Sequence, residues 1–92
     1  MIVSWEHKGL QRFFETGSKA GIQPAHEKRL RRQLYALNNA KTVDALNVPG
    51  WRLHSLLGDR QEYWSLTVSG NWRITFKFID TDVYVVNYED YH

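Results

Sequence analysis

The sequence predicts an α+β domain: an opening strand, two helices, and an antiparallel meander that carries both helices on one face of its sheet. Two observations predict it. The apolar residues recur with a helical period before Pro49-Gly50 and with a period of two after it, and turn-forming residues separate the alternating runs. At the start, Ile2-Val3-Ser4-Trp5 is short, β-branched and aromatic, and reads as a strand. From Lys8 to Glu15, Leu10, Phe13 and Phe14 make the apolar face of a short helix that Thr16-Gly17 ends, glycine supplying the left-handed stop. Gly21 marks the connector.

Pro24 suits the first turn of a second helix, in which Leu30, Leu34 and Leu37 form the apolar stripe and Lys28, Arg29, Arg31 and Arg32 a basic face. His26, one turn before Leu30, reads as a packed or solvated side chain rather than a ligand. Thr42 to Leu46 reads as one capped turn. The four alternating runs are Trp51 to Ser55, Tyr63 to Val68, Trp72 to Phe78 and Val83 to Tyr88. Their turns are Leu57 to Arg60, Gly70-Asn71 with glycine first as a II′ hairpin requires, and Asp80 to Asp82. Alternation puts Trp72, Ile74, Phe76 and Phe78 toward the helices and Arg73, Thr75 and Lys77 on the opposite, open face. Arg52 and His54 alternate with Trp51 and Leu53 in the same way. Trp51, Trp64 and Trp72 stay in phase with aliphatic neighbours and read as core rather than as base-stacking platforms.

Ninety-two residues, 42% of them apolar, make one domain, residues 1–92, with a real core. There is no cysteine, which excludes disulfides, a thiolate nucleophile and a Cys-type zinc site. Neither a Sec-type signal nor a membrane span is expected from the opening residues or from the short apolar runs. Charge is uneven: residues 1–60 carry a net +5 and residues 61–92 a net −3, giving the chain its +2. The basic half suits a polyanion, although +2 is also ordinary for a soluble domain.

Metal-free cleavage of RNA needs a base for the 2′-hydroxyl, a clamp for the charge of a phosphorane-like transition state, and a proton for the leaving 5′-oxygen. His54 and His92 are of the type that gives and takes protons near neutrality, and Arg73 can grip a phosphate with two parallel hydrogen bonds. Asp90 could act as base or orient an imidazole, and Tyr91 could donate to an oxygen. The plainer readings are a solvated tail from Glu89 to His92, an Arg73 paired with Glu62 or Glu89 across the sheet, and a satisfied strand histidine at position 54. A metal site built from His54, Asp90 and His92 is a weak pattern, so no metal is assigned.

In order along the chain, Arg52-Leu53-His54, Leu56, Gly58-Asp59-Arg60, Tyr63-Trp64-Ser65, Asn71-Trp72-Arg73-Ile74-Thr75-Phe76 and Asp90-Tyr91-His92 resemble the HigB-type killer toxins of the RelE/ParE superfamily. That resemblance implies a cytoplasmic type II toxin that works without cofactor or metal as a ribosome-dependent mRNA endonuclease. It assigns His54, Asp90, Tyr91 and His92 to the catalytic cluster and places Asn71 and Arg73 near the scissile phosphate and the RNA. Arg52, Arg60 and Lys77 are assigned to RNA binding with them. The implied partners are the ribosome, mRNA and a HigA-type helix-turn-helix antitoxin, with DNA touched only through the antitoxin complex. Leu57 departs from the pattern, standing where relatives can carry a lysine. Two alternatives share the fold, since fold does not fix function: a ParE-like gyrase poison without nuclease activity, and a non-catalytic RNA-binding module.

Overall fold

The computed structural model describes residues 1–56, 58 and 62–91. Helix α1 spans Lys8–Thr16 and α2 spans Glu27–Asn39; the sheet comprises β1 (His54–Ser55), β2 (Tyr63–Ser69), β3 (Trp72–Ile79) and β4 (Asp82–Asp90), antiparallel and in sequence order. The α+β architecture is the expected one. Leu57, Asp59 and Arg60 of the expected turn lie outside the described residues, as does His92.

Local chemistry sets the helix limits. The His7 ring caps α1, its Nδ1 accepting from the Leu10 amide at 2.9 Å, and Gly17 stops the helix at φ +82° with its amide on the Phe13 carbonyl. Pro24 opens a 3₁₀ turn, Pro24–His26, that feeds directly into α2. Thr42 precedes a second such turn, Val43–Leu46. Gly9 of α1 meets Gly21 of the connector backbone to backbone: a Cβ on Gly21 would lie 2.5 Å from the Gly9 Cα. Both glycines are there for space.

Leu10 and Phe13 of α1 and Leu30, Leu34 and Leu37 of α2 pack with Leu66, Val68, Ile74, Phe76, Val83, Val86 and Tyr88 of the sheet into one buried cluster. Trp51, Trp64 and Trp72 lean on that cluster as partly buried residues, as the alternation implied. Phe14 instead sits at the rim of α1, 39% exposed and in ring contact with Trp5. Within α2, Gln33 is buried and donates from Nε2 to the Thr67 carbonyl at 2.9 Å, beside the register shift between Thr67 and Ser69. Helix and sheet are thereby tied at a break in the ladder.

Two strand expectations are corrected. Ile2 to Trp5 does not form a regular strand; it makes two isolated parallel bridges to β4, Ile2 to Val83 and Trp5 to Val86. An extra residue in β4 breaks the ladder between them. Val85 there has φ +50°, and its amide bonds the Ser4 hydroxyl at 2.8 Å instead of a backbone carbonyl. The first meander strand is likewise shorter than Trp51 to Ser55, because Arg52 at φ +52° turns the chain out of the extended region.

Candidate active site

The register builds the open face. His54, Ser65, Thr75 and Asn87 stand opposite one another across all four strands. One step along lie Thr67, Arg73 and Glu89, and on the other side Tyr63, Lys77 and Tyr84. Directly opposed residues share a face, so this surface carries an imidazole and two cations over a floor of hydroxyls. With strands about 4.8 Å apart and residues about 3.4 Å apart along a strand, the Cα atoms of His54 and Arg73 are about 12 Å from each other.

Arg52 meets His54 through its backbone, while its side chain is exposed. Its left-handed backbone places its carbonyl 2.8 Å from His54 Nδ1. A carbonyl can only accept, so Nδ1 carries the ring hydrogen and Nε2 of the neutral ring keeps a lone pair. His54 is exposed.

Arg73 is held from two directions. Its Nε donates to Glu89 Oε1 at 3.1 Å and its Nη2 lies 3.1 Å from the same oxygen, while its guanidinium carbon sits 4.0 Å from the centre of the Tyr91 ring. The backbone brings Tyr91 there, because its amide donates to the Asn71 carbonyl at 2.7 Å across the hairpin. Asn71 therefore fastens the end of β4 beside Arg73. Lys77 lies 3.7 Å from Glu62 and 5.3 Å from the Tyr63 ring centre.

Asp90 is placed differently. Its register partner is Trp72, and Tyr88 pairs with Ile74, so Asp90 lies on the helix side of the sheet at an exposed strand end. Of the residues expected at the site, His54, Arg73, Lys77 and Tyr91 share the open face, Asn71 borders it, Asp90 flanks it from the other side, and Arg60 and His92 lie outside the described residues. Sequence reasoning did not foresee that Ser65 and Thr75, at the centre of this face, are fully buried with hydroxyls that make no hydrogen bond among the described residues. The alternation of Thr75 with Arg73 and Lys77 was legible; its burial was not.

On the helix side, an imidazole and aromatic cluster backs the end of β4. Tyr88 is 4% exposed, its hydroxyl 2.6 Å from His26 Nδ1 and 3.3 Å from the Gln23 amide, and its ring packs 4.6 Å from Trp72. The phenol oxygen thus accepts from the Gln23 amide and is joined to His26 Nδ1 by a short hydrogen bond. Burial pushes the His26 and His7 imidazoles below the usual histidine range and the Tyr88 phenol above its usual value.

Residues 3–92 match the family described as the RelE-like toxin of the type II toxin-antitoxin system HigB. The chain belongs to the HigB-like toxin family. It is 48% identical over 92 residues, the full length of both chains, to the Endoribonuclease HigB of Proteus vulgaris. Membership makes the protein a type II toxin, and such a toxin has an antitoxin partner. None of the helices formed by its described residues is long and apolar enough to cross a membrane.

Proposed function

We propose that this toxin is an endoribonuclease that cuts mRNA on the translating ribosome in the cytoplasm, using its own side chains and no metal. The observation that carries this reading is the open face itself, where a histidine with a lone pair on Nε2 and a stacked, ion-paired arginine share one surface. Full-length similarity to an endoribonuclease supports it. His54 Nε2 takes the proton of the 2′-hydroxyl, and the oxygen so freed attacks the adjacent phosphorus. Arg73 holds the charge that builds on the non-bridging oxygens, which is where a preorganised donor is worth about 10²–10³ in rate. Tyr91 or His92 gives the leaving 5′-oxygen its proton, with Asp90 orienting the donor from the strand end, and the bond to phosphorus breaks. Asn71, Arg52, Arg60 and Lys77 bind the RNA around that phosphate. Lys28 and Arg32, exposed on α2, would face ribosomal RNA phosphates. A HigA-type helix-turn-helix protein is the proposed antitoxin, to be sought as a partner that co-purifies and neutralises toxicity.

The test is cleavage of a defined mRNA by purified protein with and without programmed ribosomes. Cleavage is expected only with ribosomes, and a positioned base or clamp is worth enough that His54→Ala and Arg73→Ala each lower the rate by about 10²-fold or more. Inhibited DNA supercoiling with untouched mRNA would replace this reading by the gyrase one.

A further inference from the structure

We infer that Glu89 is a positioning residue for the reaction, aiming the Arg73 guanidinium at the scissile phosphate. The inference rests on the nuclease reading above. Arg73 and Glu89 are direct cross-strand partners of β3 and β4, and both are largely withdrawn from solvent, with side chains 15% and 28% exposed. A single carboxylate oxygen, Glu89 Oε1, takes both Nε and Nη2 of Arg73. That fixes the rotation of the guanidinium plane about its long axis. Tyr91, 4.0 Å from the guanidinium carbon, fixes the tilt of the same plane.

With one edge of the fork engaged, the edge formed by Nη1 and the outer hydrogen of Nη2 is turned away from Glu89. Two parallel N–H bonds from such an edge match two oxygens of a phosphate. An arginine free to rotate offers this edge only part of the time, and small misplacements of a catalytic group are costly in rate. Glu89 also brings a negative charge beside the position of the phosphate, which weakens binding of the RNA. The two effects separate kinetically: the carboxylate raises kcat through orientation and raises KM through repulsion.

Cleavage on programmed ribosomes is measured for wild type, Glu89→Ala and Glu89→Gln over a range of complex concentrations. Glu89→Ala is expected to lose about ten- to a hundredfold in kcat while KM falls, because orientation is lost with the repulsion. Glu89→Gln keeps an oxygen acceptor without the charge, so it recovers most of the lost kcat and keeps the lowered KM. In an Arg73→Lys background, Glu89→Ala is expected to cost little further, since the residue acts through the fork. A purely structural role would lower the folded fraction and leave the kcat and KM of the folded molecules unchanged. Unaltered kinetics in Glu89→Ala, or a glutamine no better than alanine, would overturn the inference. If Glu89→Ala does not fold, Glu89→Gln decides alone: a KM below wild type with a partial loss of kcat supports the role, and wild-type values refute it. Wild-type protein that fails to cut on ribosomes would instead sink the nuclease reading.

Discussion

Replacing Tyr88 by Phe removes one oxygen and leaves the ring that packs against Trp72 and the core. The oxygen makes two contacts, the short one of 2.6 Å to His26 Nδ1 and the long one of 3.3 Å to the Gln23 amide. The first dominates, because the second lies beyond the usual N–H to oxygen range. A hydrogen bond is worth about 0.5–1.5 kcal/mol net, but deleting one partner so that the other is left buried and unpaired costs about 1–3 kcal/mol. His26 is 8% exposed, so water replaces the lost phenol poorly. Tyr88→Phe is therefore expected to cost about 1–3 kcal/mol, a large share of the roughly 5–15 kcal/mol typical of a domain. With a urea m-value of about 2 kcal/mol/M, the midpoint falls by about 0.5–1.5 M while m stays constant. Because Tyr88 precedes Asp90 and Tyr91 on the same strand, cleavage per folded molecule should fall as well. A midpoint within about 0.3 M of wild type would refute the shared bond, since that corresponds to roughly 0.5 kcal/mol.

Acid should destabilise the fold in a defined window. His7 accepts at Nδ1 from the Leu10 amide, His26 is bonded through Nδ1 to the Tyr88 hydroxyl, and burial holds both below the ordinary value of 6.5. Between those lowered values and 6.5 the unfolded chain binds more protons, so stability is full above that pH and declines as pH falls through the window. Urea midpoints from pH 8 to pH 5 test this, and His7→Asn, which keeps a capping acceptor without the imidazole, should flatten the slope; a flat wild-type profile would refute the assignment. At Thr75, the hydroxyl is buried without a partner among the described residues, so Thr75→Val is expected to hold or raise stability, by up to about 1 kcal/mol, with ribosome-dependent cleavage retained. Loss of cleavage by a stable Thr75→Val protein would show instead that the hydroxyl meets RNA.

Where backbone period and turn chemistry act alone, the sequence is readable. Gly17 stops α1 at φ +82°, Gly70 turns the hairpin at φ +56°, and Ile74 and Phe76 point into the core while Arg73 and Lys77 do not. What escapes such reading depends on partners distant in sequence. Val85 takes φ +50° where β4 carries one residue more than β3 between Thr75 and Lys77, while the bridges to Ile2 and Trp5 on its other side stay in step. That bulge also decides which face the rest of β4 presents. Asp90 consequently falls beside Trp72 on the helix side, although its neighbours Glu89 and Tyr91 reach Arg73. The pairing of Arg73 with Glu89 was one of two readable options; the stacking of Tyr91 was not, since it needs the bond from its amide to Asn71.

The ion pair of Arg73 with Glu89, read as the structural alternative to a phosphate clamp, turns out to be compatible with it. A pair buried only in part is worth little to stability by itself. Its value here is geometric, because the guanidinium is held by one edge and one face while its other edge is turned away from Glu89. The same logic extends to the strand that carries it. β4 is gripped on the helix side through Tyr88, on the open side through Glu89 and Tyr91, and along its edge through the Ile2 and Trp5 bridges. Strand ends ordinarily fray, and a fraying end would spend its time in geometries that transfer no proton. Three independent attachments oppose that loss, and two of them, through Tyr88 and through the bridges, act at a distance from the proposed phosphate. Weakening the one at the helix side, as Tyr88→Phe does, should then slow cleavage through placement of Asp90, Tyr91 and the Arg73 plane that Tyr91 stacks on, with His54 left where it is.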